Sequence, residues 1–88
     1  MAQRVVILGS RSGLHARPAA TFVQAAAHKT VRVTVAVDGK PPVAADSMLG
    51  VMTLGAAYGD QVTLTAEGDG AEAVLEELAA LLSKELDA

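Results

Sequence analysis

Val31, Val33, Val35 and Val37 alternate with Arg32, Thr34 and Ala36. Successive side chains on a strand point to opposite faces, so this run reads as a strand with one face in a core and the other at solvent. Such a strand belongs to a sheet covered on one side, which points to an antiparallel sheet with helices on a single face. Asp38-Gly39 follows as a two-residue hairpin signal, because a type I′ turn needs positive φ at both central positions. A short return strand is expected from Lys40 to Ala44, confined to a sheet edge by Pro41 and Pro42, which have no N–H for a ladder.

The remaining periodicities agree with that architecture. Arg4 to Leu8 reads as a first strand with Val6 and Leu8 on one face, closed by Gly9-Ser10. From Ala16 to about Ala27, Ala16, Ala19, Val23 and Ala26 recur at the helical period with Phe22 beside them. That helix presents uncharged outer positions at Ala20, Thr21, Gln24 and Ala27. Ser47 is placed to cap a short helix over Met48–Leu54, in which Val51 and Leu54 are the residues for burial and Gly55 is the breaker. Gln61 to Ala66 alternates through Val62, Leu64 and Ala66 after a Tyr58-Gly59-Asp60 turn. Asp69 and Glu72 have the spacing of a capping box. Beyond them Ala71, Val74, Leu75, Leu78, Leu81 and Leu82 form an apolar stripe, with Glu72, Glu76, Glu77 and Lys84 facing water. The order β-α-β-β-α-β-α gives an α+β fold: an open-faced two-layer sandwich, with a four-stranded antiparallel sheet covered on one face by three helices.

Composition limits the functions open to such a chain. Residues 1–88 read as one domain, with no internal repeat or linker, and only roughly 60 to 65 per cent of the unfolded surface of so short a chain is buried on folding. The apolar half of the sequence is mostly Ala, Val and Leu, with Phe22 and Tyr58 the only aromatic residues. A net charge of −3 without a basic cluster argues against nucleic acid as a partner. No apolar run reaches transmembrane length, no secretory segment precedes the first strand, and cysteine is absent, so a cytoplasmic location without disulfides is expected. A metal shared by the two histidines, His15 and His28, at opposite ends of one helix is not expected, and no cofactor is implied.

Chemistry concentrates at Gly13-Leu14-His15-Ala16-Arg17-Pro18. Proline is tolerated in the first turn of a helix, where its missing N–H has no partner in any case, so the helix starts just before Pro18. His15 then becomes a candidate N-cap beside free N–H groups and the positive end of the helix dipole. Arg17 adds a cation. Both should hold the imidazole pKa below its usual value of about 6.5, keeping the ring neutral and nucleophilic, and both would face an anion favourably once a phosphoryl group is attached. The same residues also suit a plain polar cap beside a solvated arginine, or a module that binds anions without covalent chemistry. His28, where the helix should end, fits an interaction with the helix C-terminus.

Gly13-Leu14-His15-Ala16-Arg17-Pro18-Ala19, together with Ser47-Met48-Leu49-Gly50-Val51-Met52-Thr53-Leu54-Gly55, resembles the HPr family of histidine-containing phosphocarriers. These belong to the bacterial phosphoenolpyruvate-dependent sugar phosphotransferase system. The likeness extends over essentially the whole chain. It implies that His15 accepts a phosphoryl group on Nδ1 from phosphorylated enzyme I and passes it to IIA components of sugar permeases, with Ala16 and Arg17 binding the phosphate. The protein would then be a stoichiometric carrier rather than an enzyme. Partner docking would use Ala16, Arg17, Ala20, Thr21, Gln24, Met48, Leu49 and Met52. Ser47 aligns with a regulatory serine modified by a dedicated kinase and phosphorylase in many Gram-positive relatives, some of which also engage transcriptional regulators. Asp46 and Pro41-Pro42 depart from the family's usual pattern around that serine. A monomer is expected, and a paralogue serving nitrogen or carbon regulation is the alternative.

Overall fold

The structure is a computed structural model describing residues 2–9, 13, 16–29, 31–37 and 39–84, with the backbone alone at Ala16 and Pro18. The chain runs in the order β1 (Ala2–Ile7), α1 (Ala16–Ala27), β2 (Val33–Val37), β3 (Val43–Ala44), α2 (Met48–Thr53), β4 (Gln61–Ala66) and α3 (Ala71–Leu82). The four strands form one antiparallel sheet in the order β1-β4-β2-β3. Because β1 and β2 are each antiparallel to β4, they run parallel to each other with β4 between them. The connection through α1 is therefore a crossover that steps over one strand.

Register explains why one face is covered. Val35 pairs with Leu64, Val37 and Val6 with Val62, and Val33 with Ala66, so these residues point to one side. Leu8, Phe22, Val35, Val51, Val62, Leu64, Leu75, Leu78 and Leu82 are the largest fully buried side chains. Each such aliphatic residue contributes about 1.5–3 kcal/mol by leaving water. The opposite face carries Val5, Thr63 and Ala36 in one cross-strand row, and Val5 and Ile7 are half exposed there.

The bounds of four elements differ from expectation, and one of these is α2, which ends at Thr53 with Leu54 as its C-cap instead of running through Leu54. β1 begins at Ala2 rather than Arg4, and Leu8 lies just past its end, with its N–H donated to the carbonyl of Asp60 at 3.0 Å. β3 keeps only Val43–Ala44 of the expected Lys40–Ala44, since the prolines at 41 and 42 have no ladder donor. It does lie at a sheet edge, and the Lys40 N–H closes the preceding turn on the carbonyl of Val37 at 3.1 Å. Asp38 lies outside the described residues. Val31 precedes β2 rather than belonging to it.

The expected capping box is not formed. Gly70, at φ 82°, is the N-cap of α3 and no side chain caps it. The left-handed turn at Gly68 and Gly70 lets the Ala71 N–H reach the carbonyl of Gly68 at 3.2 Å. That displaces Asp69 to the residue before the cap. Glu72 still lies in the first turn, where the helix dipole favours a carboxylate.

Candidate functional site

α1 opens at Ala16, one residue after His15, as the position of Pro18 requires. His15 itself lies outside the described residues, as do Leu14 and the side chain of Ala16. The described part is its setting. The first turn of α1 contains no acidic residue to offset the positive end of the helix dipole. Arg17, the second residue of the helix, is exposed, and its carbonyl oxygen accepts the Thr21 hydroxyl at 3.2 Å. At the other end, a 2.7 Å contact joins Nδ1 of His28 to the carbonyl oxygen of Gln24, where the Nδ1–H tautomer donates to the last turn.

Upstream of His15, Gly13 is buried with φ 75°. A Cβ at this position would stand 2.6 Å from the carbonyl oxygen of Ala56. Glycine is thus required twice, by backbone conformation and by close approach. This contact brings the residues after α2 against the segment that leads to His15.

α2 packs against α1. Ser47 caps it as its sequence suggested: the Ser47 hydroxyl oxygen accepts the Gly50 N–H at 3.1 Å, and the Ser47 carbonyl accepts the Val51 N–H at 2.9 Å. Val51 and Leu54 are buried, whereas Leu49 is 77% exposed and Met52 41%. Thr21 and Gln24 on α1 are also exposed. Ala20 and Met48 differ from the expected outward positions: both are half-buried, and Met48 packs on the core cluster. A flexible thioether filling a core gap while keeping one side at the surface accounts for Met48.

Some positions had no signal in the sequence. Lys40 donates its ammonium to the carbonyl oxygen of Leu54 at 2.8 Å, and Asp60 Oδ2 accepts the Ala57 N–H at 2.9 Å. Lys29, behind α1, pairs with Glu77 of α3. Among the described residues no group of three or more His, Cys, Asp or Glu side chains could hold a metal ion, and no helix is long and apolar enough to cross a membrane.

Known proteins share this arrangement along nearly the whole chain. Residues 2–84 match the family described as the PTS HPr component phosphorylation site. The phosphocarrier protein HPr of Streptomyces coelicolor is 48% identical over 87 residues, covering 99% of this chain and 94% of that protein. The crystal structure of HPr from Bacillus anthracis superposes with a TM-score of 0.86 at 42% identity, covering 92% of this chain and 95% of that one. The solution structure of Crh, the Bacillus subtilis catabolite repression HPr, gives a TM-score of 0.67 at 43% identity, over 92% of this chain and 95% of that one. With the four-stranded open-faced sandwich, the helix that starts beside a histidine and the serine-capped second helix, the chain belongs to the HPr family, the phosphocarriers of the phosphotransferase system.

Proposed function

We propose that this protein carries a phosphoryl group on His15, accepting it from phosphorylated enzyme I and handing it to IIA components of sugar permeases. The observation that supports the reading is the start of α1 at Ala16, the residue that follows His15 in the sequence, because the first N–H groups of a helix have no partner within it. In the forward step the Nδ1 lone pair of a neutral imidazole attacks phosphorus. A P–N bond forms as the bond from phosphorus to the donor breaks, and the donor's leaving atom keeps that electron pair. The backbone at Ala16 and the Arg17 guanidinium take up the charge of the phosphoryl oxygens. Transfer onward reverses these roles, so the protein ends each cycle unchanged and serves as a substrate of other phosphotransferases rather than as an enzyme.

The exposed residues Arg17, Thr21, Gln24, Leu49 and Met52, with Ala16, Ala20 and Met48 beside them, serve as the docking surface. Low charge on this set suits a surface shared by several partners. Ser47 is a regulatory phosphorylation site in the same reading: its phosphate would bring about −1.5 to −2 charges beside Leu49, disfavouring enzyme I while remaining compatible with the α2 N-terminus. Asp46 bears on that step, because a kinase that reads a basic residue before the serine would bind this chain less well. A serine kinase and phosphorylase and transcriptional regulators complete the set of partners, and the protein acts as a cytoplasmic monomer of one domain.

Likeness to Crh favours a second reading, a regulatory HPr paralogue in carbon or nitrogen control. Incubation with enzyme I, labelled phosphoenolpyruvate and magnesium is expected to give an acid-labile phosphoprotein, and His15→Ala should abolish the label. Equal labelling of the alanine variant would sink the assignment. Offering the labelled protein to a panel of IIA domains separates sugar carriage from regulation.

A further inference from the structure

The end of α2 is held by a group distant in sequence. Leu54 is the C-cap, and its carbonyl is one of the orphan acceptors at a helix end, where partial negative charge accumulates. α2 has no basic residue in its last turn. Lys40 supplies the cation from the β2–β3 connection, with Nζ 2.8 Å from the Leu54 oxygen. The chain then turns at Gly55, φ 65°, where an added Cβ would stand 3.4 Å from the same Nζ. Next comes Ala56, which is buried and whose carbonyl is the group that closes on Gly13. On the far side the Ala57 N–H is fixed by Asp60. Lys40, Leu54, Gly55, Ala56 and Gly13 thus form a continuous run of contacts from the hairpin to the backbone two residues before His15.

We propose that Lys40 is a positioning residue for phosphoryl transfer, its ammonium holding the end of α2 where Ala56 buttresses Gly13 and so setting the approach of the chain to His15. This rests on His15 being the phosphoryl acceptor. Lys40 touches neither the phosphate nor the imidazole in this role. A lysine that merely stabilised the fold would alter unfolding without altering transfer, and one that merely docked a partner would alter KM without disturbing Gly13.

Lys40→Met and Lys40→Arg in the full chain separate these cases. The readouts are the backbone amide resonances of Gly13, Gly55 and Ala57, and kcat and KM for phosphorylation by enzyme I. Lys40→Met should move the Gly13 and Gly55 amides, leave those of Leu75 and Leu78 in place, and lower kcat about ten-fold at nearly constant KM, since small misplacements of reacting groups cost up to about 100-fold. Lys40→Arg should restore both readouts, because it keeps a charged donor. If Lys40→Met loses its structure, Lys40→Gln is scored by the same rule. An unmoved Gly13 amide, an effect on KM alone, an unchanged rate, or a loss that arginine does not restore would overturn the role of Lys40. Failure of the wild-type chain to accept phosphate would instead refute the parent reading.

Discussion

α3 buries Ala71, Leu75, Leu78 and Leu82 at helical spacing and turns Glu72, Glu76 and Glu77 to water. α2 does the reverse within half the length: it buries Val51 while leaving Leu49 and Met52 at the surface. An isolated helix of six residues is far below the roughly 12–15 needed for marginal stability in water. Both of its ends are therefore held from outside, by the Ser47 hydroxyl at the N-terminus and by Lys40 at the C-terminus. The contrast shows how a small domain divides its apolar residues. In α3 they go into the core, whereas α2 sends Val51 there and leaves Leu49 and Met52 exposed.

The largest effect on folding is expected from α3. Leu78 is fully buried, so Leu78→Ala should lower the free energy of unfolding by about 2–5 kcal/mol through lost burial plus the cavity left behind. Urea denaturation measures it, and a loss below about 1 kcal/mol would mean α3 is not the structural helix. Ser47→Ala should cost less, about 1 kcal/mol for the lost cap, in the same assay. A change in the urea midpoint of the size seen for Leu78→Ala would show that α2 carries the core after all. Glu77→Gln removes the partner of Lys29; because the carboxylate side is 66% exposed, the loss should be within about 1 kcal/mol and fade as salt is added.

What could be read beforehand follows the same division between local and distant causes. β4 and α1 have the bounds their periodicities suggested, and the Ser47 cap forms, because each depends on residues within one or two turns. Pro18 likewise made the helix start beside His15 legible. The Asp69 cap failed because Gly68 and Gly70 take left-handed conformations that a spacing rule does not weigh. Lys40 reaches Leu54 across 14 residues and Lys29 reaches Glu77 across 48, distances at which pattern carries no information. The half-burial of Met48 belongs with these, since it depends on how α2 lies on the core rather than on its own helix.

The smallest effect on folding, and the sharpest test of the contrast, is at Leu49. Its side chain is 77% exposed, and glutamine has nearly the same helix propensity as leucine, so Leu49→Gln should leave unfolding within about 0.5 kcal/mol of wild type. If α2 keeps this residue at the surface for docking, phosphorylation by enzyme I should suffer regardless. Burying a leucine at an interface is worth about 1.5–3 kcal/mol when complete, and losing roughly half of that corresponds to about a 4- to 12-fold rise in KM. kcat should stay near wild type, because the lost contact is made equally in the ground and transition states. An unchanged KM would remove Leu49 from the docking surface, whereas a stability loss comparable to that of Leu78→Ala would erase the distinction between the two helices.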